Sequence, residues 1–225
     1  MSAPPVACVI PALDAASTVA GVAHGVRAHV AGALIIGVDD GSRDGTRDAM
    51  LAACDRVIAF EGNAGKGAAL RAGIGAALAH GAWAVLTIDA DGQHDPAAAP
   101  ALLAALAGAD LAIGTRARRG TAMPFGRRIT NALASAAVGR ILRAPVPDPQ
   151  SGFRAMRRAV CEAVQVAGDR FEYETEFLIA AGRAGFRIAA VPVPTRYGAP
   201  SHFRPLRDSA RVVGAIWRHR AAGRR

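Results

Sequence analysis

The sequence predicts an α/β fold: a mostly parallel central sheet with flanking helices. Three observations carry that expectation. Short apolar runs of strand length alternate with helix-forming segments through the first half of the chain. The composition, 52% hydrophobic and 20% charged over 225 residues, is that of a globular protein and excludes a disordered chain. Polar clusters at 39–46, 63–67, 89–95 and 114–119 each follow an apolar run. Those are the carboxyl ends of strands, beyond which open α/β sheets bind their ligands.

Each element has its own signal. Val6 to Ile10 is a short apolar run that stops at Pro11, and reads as a buried strand. Ser17 is placed to cap a helix from Thr18 to about His29. Leu34 to Val38 and Arg56 to Phe60 read as the second and third strands, with a helix between them. Lys66 to His80 is a helix of small residues suited to close packing. Trp83 to Ile88 is the clearest strand and runs into Asp89-Ala90-Asp91. Asp95-Pro96 opens the next helix, Asp as cap and Pro in the first turn. Leu111 to Gly114 is a fifth strand.

The second half is less regular. Arg127 to Leu142 reads as an amphipathic helix with Arg128, Asn131 and Ser135 on one side and Ile129, Leu133, Val138 and Ile141 on the others. Pro145, Pro147 and Pro149 break the chain. Gly152 to Met156 and Ile188 to Val193 read as added strands, and Phe171 to Arg183 as a helix with an acidic start. A basic amphipathic helix is expected from Leu206 to Trp217, so the chain divides into a domain over 1–200 and a basic tail over 201–225.

Composition also limits function. No run reaches the roughly 18 apolar residues of a membrane span, and no secretory signal is visible. Three scattered cysteines, Cys8, Cys54 and Cys161, make neither a disulfide framework nor a CxxC metal site, which fits a reducing, cytoplasmic compartment. The net charge is +9, and it is uneven. From Leu111 to Pro147 there are seven Arg and no acid; from Ser201 to Arg225, seven Arg and one acid. Such stretches suit a phosphate-bearing partner or an anionic membrane, or are simply solvated surface. All basic residues but one are Arg, so the single lysine, Lys66, calls for a reason.

Three motifs carry chemistry. In Asp89-Ala90-Asp91-Gly92-Gln93-His94-Asp95-Pro96, two carboxylates sit one residue apart as a strand ends. Hard cations such as Mg²⁺ and Mn²⁺ take oxygen ligands and keep contact with substrate phosphates, and Asp89, Asp91 and the amide oxygen of Gln93 suit such a site. A helix-capping turn with one surplus acid is the structural alternative. In Asp39-Asp40-Gly41-Ser42-Arg43-Asp44-Gly45-Thr46, carboxylates after a strand either accept hydrogen bonds from a ribose or base, or cap a Gly-rich turn. Asn63-Ala64-Gly65-Lys66-Gly67 is not the Walker pattern, because no Ser or Thr follows Lys66. Gly still permits close backbone approach and Lys66 supplies a point charge for a ligand, unless the loop only packs a helix N-terminus.

In order along the chain, these motifs resemble family 2 glycosyltransferases of the GT-A, Rossmann-like fold, and most nearly the polyprenyl-phosphate sugar transferases of the dolichyl-phosphate mannose synthase type. The resemblance is carried by IPALD at 10–14, DDGSRDGT at 39–46, NAGKGAALRAG at 63–73, DADGQHDP at 89–96, GTR at 114–116 and QSGFR at 150–154, with FEYETE at 171–176 and YGAPSHFRP at 197–205. It covers residues 5 to about 210.

The resemblance implies a set of roles. Asp39 binds the nucleoside of a nucleotide-sugar donor, with Pro11 and Asp14 near the base; Asp40, Lys66 and Ala90 belong to the same donor site. Asp89, Asp91 and Gln93 hold a divalent metal, Mg²⁺ or Mn²⁺, on the diphosphate. Arg116 and the Arg127/Arg128 pair bind phosphates, with Asn131 beside them. Gln150, Ser151 and Arg154 line the sugar and phosphate region. Asp91, Arg116, Arg127 and Arg128 are the residues expected to act in catalysis. Leu13 and Ala15 stand where the family usually has an aromatic residue and a Glu, which leaves the nucleotide open.

The expected reaction is inverting transfer of a hexose from a nucleotide-sugar, of GDP-mannose or UDP-glucose type, to a polyprenyl phosphate, in cell-envelope biogenesis. A lipid phosphate is already anionic, so arginines that position it replace a strong base. A hydroxyl acceptor needs an Asp or Glu base instead, and Glu172, Glu174 and Glu176 are placed to be one or to form a helix-start charge cluster. A lipid acceptor requires docking at the membrane, for which 206–217 serves unless its apolar stripe packs on the domain. Two other enzyme-like readings are a nucleotidyltransferase, which lacks its Gly- and basic-rich N-terminal loop here, and an inactive scaffold. A nucleic-acid binder fits the sequence pI of about 11.0, but 5% aromatics and no recognisable motif speak against it.

Overall fold

The computed structural model describes residues 5–116, 125–170 and 172–195, with side chains from 131 onward in the second stretch. The expected helix at 206–217 and the motif at 197–205 lie outside the described residues.

Seven strands form one sheet among the described residues: β1 (Val6–Ala12), β2 (Leu34–Asp39), β3 (Arg56–Ala59), β4 (Ala84–Thr87), β5 (Leu111–Arg116), β6 (Arg154–Arg157) and β7 (Ile188–Val193). Their spatial order is β3-β2-β1-β4-β6-β5-β7, and all but β6 run the same way. The expected α/β sheet is therefore present, with one strand, β6, reversed between β4 and β5. The order reverses at β1 and β4, which is where such sheets open a ligand crevice.

Side-chain alternation on β1 shows why the sheet is covered on both faces. Ala7 and Val9 enter one core with Ile36, Val38, Ala69, Leu70 and Phe177. Cys8 and Ile10 enter the other with Ile35, Val19, Val22, Met50 and Leu102. The first face is packed by α3 (Lys66–Ala79), α6 (Arg158–Ala163) and α7 (Glu172–Arg183), with α5 (Phe125–Leu142) against α7. The second is packed by α1 (Val19–His29), α2 (Thr46–Ala53) and α4 (Ala99–Ala105). Gly73 of α3 has no room for a Cβ, which would lie 2.3 Å from Val9 Cγ1, so the small residues of this helix do bring it close to the sheet.

Several boundaries differ from expectation for identifiable reasons. β1 does not stop at Pro11: it pairs with β2 through Ala12, whose carbonyl accepts from Asp40 N–H. Pro11 faces the opposite way, toward β4, and the β1–β4 register has ended at Val9, so its missing N–H costs no ladder bond. Ser17 caps nothing; the N-cap of α1 is Thr18, without a side-chain cap bond. Asp95 does cap, accepting from Ala97 N–H at 3.0 Å, but a 3₁₀ turn (Pro96–Ala98) precedes α4. Leu133 is exposed at 66%, and Asn131, expected on the polar side of α5, is buried. β7 matches its expected range, whereas α6 carried no signal that the sequence reading used.

Candidate active site at the carboxyl edge of the sheet

The loops after β1, β2, β4 and β5 lie at one edge of the sheet because their strands are parallel. The loop after β1 is clipped to the loop after β2. Asp14, at φ 48°, accepts from Arg43 N–H and its own N–H donates to Ser42 Oγ. Ala15 N–H donates to Thr46 Oγ1 at 2.7 Å. The two segments expected at the nucleoside thus form one rim, with Asp14 exposed and Asp39 buried beneath it. Asp39 spends one oxygen on Ser42 N–H at 3.0 Å.

Asp40 has another task. Its carboxylate accepts from Ala64 N–H at 2.7 Å and Gly65 N–H at 3.0 Å, so it anchors the 63–67 loop. Burial pushes its carboxyl up, against the pull of those two bonds. Gly41, at φ 76°, passes so close to Gly62 that a Cβ would sit 2.5 Å from its carbonyl carbon. Of the two readings of this cluster, Asp40 follows the structural one.

Lys66 opens α3 at the bottom of the crevice. Its Nζ lies 2.6 Å from Asp89 Oδ1 and 2.6 Å from Glu174 Oε1. Burial disfavours its charge, but the two carboxylates more than offset that and raise its affinity for the proton. The expected point charge is therefore present, held between two acids. Glu174 is buried in this contact, and Glu176 is buried accepting from Gly168 N–H at 3.0 Å. Neither is placed to act as a base on a hydroxyl acceptor, whereas Glu172, the third candidate, has a buried Oε2 with no hydrogen-bond partner among the described residues.

The acidic motif begins where β4 ends. Burial raises the Asp89 carboxyl, but its neighbours, Lys66 first among them, together outweigh it and hold the group below the ordinary range. Asp91 goes the other way: burial and then the charge of Asp89 push it up. Asp91 Oδ1 accepts from Gln93 N–H at 3.0 Å, and Ala90 and Gln93 are buried beside it. Among the described residues no group of three His, Cys, Asp or Glu forms a metal cage. The donor set is instead two carboxylates and an amide at an open edge. That fits a hard divalent cation sharing its coordination with a substrate diphosphate, and a dication relieves the repulsion that raises Asp91.

Arg116, at the end of β5, forms a fork with Asp148: Nε to Oδ2 at 2.7 Å and Nη2 to Oδ1 at 2.6 Å. Asp148 is 2% exposed and sits at φ 54°. Arg116 is thus on the same edge as the acidic motif, oriented by a carboxylate that the sequence reading did not single out. Arg127 and Arg128 begin α5, but their side chains lie outside the described residues.

The 150–154 segment splits. Gln150 is half-buried and Ser151 is buried, its N–H donating to Asp148 carbonyl. Gly152 backs directly onto Asp89, where a Cβ would lie 2.3 Å from Oδ1. Thr87 Oγ1 donates to Gly152 carbonyl at 2.7 Å, fixing that approach. Arg154, expected to line the phosphate region, is instead buried under it. Its guanidinium donates to the carbonyls of Pro149, Ser151 and Glu174 at 2.8–2.9 Å. It shapes the loop because β6 starts there and turns the side chain inward.

His94 was the residue missed. It is 5% exposed, packs 5.4 Å from the Phe153 ring, and its Nδ1 has no partner among the described residues. Burial lowers its proton affinity, so it is neutral at pH 7. Its place directly after the metal-type acids was the available signal.

Known proteins with this arrangement agree in fold and sequence. The crystal structure of glucosyl-3-phosphoglycerate synthase from Mycobacterium tuberculosis, with Mn²⁺, uridine diphosphate and glucosyl-3-phosphoglycerate, superposes with TM-score 0.79. It is 24% identical and the match covers 96% of this chain and 80% of that one, which establishes a shared GT-A fold. Polyprenol monophosphomannose synthase of Mycolicibacterium smegmatis is 34% identical over 172 residues, 71% of this chain and 65% of that protein. Undecaprenyl-phosphate mannosyltransferase of Micrococcus luteus is also 34% identical over 172 residues, 71% of this chain and 70% of its own. A UDP-N-acetylglucosamine–dolichyl-phosphate N-acetylglucosaminyltransferase of Methanococcus voltae is 28% identical over 213 residues, 84% of each. Residues 7–165, which hold the Asp14–Ser42 rim, the lysine loop, the acidic motif and the Arg116–Asp148 fork, match the glycosyl transferase family 2 domain, and the chain belongs to that family of glycosyltransferases.

Proposed function

We propose that the chain transfers a hexose from a nucleotide-sugar to a polyprenyl phosphate with inversion at the anomeric carbon. The observation that carries this is an acidic, metal-type site with Arg116, oriented by Asp148, on the same sheet edge, while two of the three α7 glutamates, Glu174 and Glu176, are engaged elsewhere. An acceptor that arrives already ionised needs no base, and a phosphate matches the arginines. The relatives that act on lipid phosphates point the same way. Those relatives are named for mannose and for N-acetylglucosamine, which supports a hexose as the group transferred.

Asp14 and Asp39 face the nucleoside with Pro11 at the floor, and Ala90 lies beneath the donor. Asp89, Asp91 and Gln93 hold Mg²⁺ or Mn²⁺, which when bound neutralises the donor diphosphate and stabilises the charge of the leaving group. A phosphate oxygen of the acceptor attacks the anomeric carbon, the bond from that carbon to the diphosphate oxygen breaks, and the nucleoside diphosphate departs with the electron pair. Arg116 and, from α5, Arg127 and Arg128 hold the acceptor phosphate in line, with Gln150 and Ser151 beside the sugar. Residues 1–200 do this work, and the basic 201–225 segment docks at an anionic membrane surface. Leu133, Ala136 and Arg140 of α5, all exposed, offer an apolar and basic face of the kind such a surface takes.

No described helix is long and apolar enough to cross a membrane. The test is transfer from labelled GDP-mannose, UDP-glucose and UDP-N-acetylglucosamine to polyprenyl phosphate in detergent with Mn²⁺. Label in the lipid phase that EDTA abolishes supports the reading. Metal-dependent release of free sugar without lipid product removes the acceptor; no turnover of any donor removes the function.

A further inference from the structure

We infer that Lys66 is a positioning residue that sets how tightly the acidic motif takes up its cation, with Glu174 as the counterweight that keeps Lys66 from claiming Asp89 outright. The inference rests on the reading of Asp89 and Asp91 as a metal site.

The geometry is over-determined. Lys66 Nζ is equidistant, at 2.6 Å, from Asp89 and Glu174, and the Glu174 side chain is 3% exposed. Each of the three groups is held by a different element. Gly65 before Lys66 sits at φ 106° with its N–H on Asp40, and a Cβ there would meet Asp169 carbonyl oxygen at 2.3 Å. Gly67 after it donates to the same carbonyl at 2.7 Å. The start of α3 therefore cannot shift away. Asp89 is backed by Gly152, and Glu174 is fixed through its carbonyl by Arg154 Nη1 at 2.9 Å.

Charge does the rest. Lys66, Asp89, Asp91 and Glu174 together leave two net negative charges, the amount a divalent cation neutralises. A lysine ammonium on the buried Oδ1 of Asp89 draws on the charge that this carboxylate can offer a cation, and the effect is strong because the groups are shielded from water. Glu174 divides the ammonium between two acids and so weakens its hold on Asp89. Arginine, used at every other basic position of the chain, presents a planar fork and not a compact charge able to sit between two carboxylates.

The test is Mn²⁺ binding to the full chain without donor, followed by calorimetry and electron paramagnetic resonance. Lys66→Met is expected to tighten Mn²⁺ binding about tenfold or more, and Glu174→Gln to weaken it by a similar factor, on the Coulomb scale of such pairs. Lys66→Arg keeps the charge and is expected to stay within about threefold of the natural chain on the same scale. Glu174→Gln removes a buried charge and keeps the Lys66–Asp89 pair, so it decides the matter if Lys66→Met does not fold. Opposite shifts in the two variants support the proposal. Unchanged affinity in both, as expected if Lys66 acts only by touching the donor, overturns it, as do shifts in the same direction. A natural chain that binds no Mn²⁺ overturns the metal reading itself, and this proposal with it.

Discussion

Asp91 and His94 stand three residues apart and respond to burial in opposite ways. Burial and Asp89 raise the Asp91 carboxyl, so at neutral pH its charge works against the fold. Stability from that group grows as pH falls through its raised folded value. Asp91→Asn is therefore expected to melt at the same temperature as the natural chain or slightly higher, and to lose transfer by on the order of 10²–10³-fold, the scale of one transition-state stabiliser. Calorimetry and the lipid-phase assay check both halves. Burial lowers His94, so the unfolded chain binds a proton that the folded chain refuses. Stability from this group is complete above its unfolded value of about 6.5 and is lost as pH falls toward the folded value. His94→Gln is expected to flatten the fall in melting temperature between pH 7 and pH 5; an unchanged slope contradicts the assignment. At this scale the sequence was legible where chemistry is local. The acids of the 89–91 motif follow a buried strand, and that context with Gln93, more than their spacing, singled them out as metal-ligand candidates. Arg154 was not legible, because its role depends on which way β6 turns a guanidinium, and its partners Pro149 and Glu174 are carbonyls that no motif records.

Elements place these residues, and two contacts test how rigidly. α3 lies against β1 and β2 through Gly73, where a Cβ would meet Val9 Cγ1 at 2.3 Å. Gly73→Ala gains helix propensity of about 1 kcal/mol but overpacks the interface at about 1–3 kcal/mol. The net expectation is a lower denaturation midpoint, and a higher one contradicts the close packing. The Arg116–Asp148 fork joins β5 to the loop before β6. Arg116→Met strands a buried carboxylate and is expected to cost about 3 kcal/mol. Adding Asp148→Asn removes the stranded charge and should recover most of that stability, while transfer stays low because the phosphate contact is still missing. Recovery of transfer in the double variant means that Arg116 serves the fold only. The parallel strands were readable from their apolar runs. The reversed β6 was read as a strand, but not placed between β4 and β5: pairing partners 70 residues apart leave no periodicity in either segment. Nor did the sequence show that β1 runs through Pro11, which depends on β4 having left that side.

For the whole molecule, the account makes acceptor chemistry follow from charge placement. Arg116, in the acid-free stretch from 111 to 147, lies on the same edge as the acidic motif, and two of the three α7 glutamates, Glu174 and Glu176, are spent on Lys66 and Gly168. Chelation with EDTA is expected to stop transfer and addition of Mn²⁺ to restore it, since two carboxylates and an amide hold no dication once a chelator competes. Vesicle flotation is expected to recover the chain with anionic but not with neutral lipids, and 0.5 M salt to release it. The fold was legible because parallel α/β topology sends strand-end motifs to one place, and the acceptor class was legible through the resemblance; the pairing of Lys66 with Glu174 and of Arg116 with Asp148 was not, because it depends on packing between distant segments. Transfer from one labelled donor to polyprenyl phosphate, measured beside the matching polyprenol and beside 3-phosphoglycerate, tests this most directly. The account predicts label on the polyprenyl phosphate alone. Label on the polyprenol or on phosphoglycerate, with none on the lipid phosphate, would contradict it.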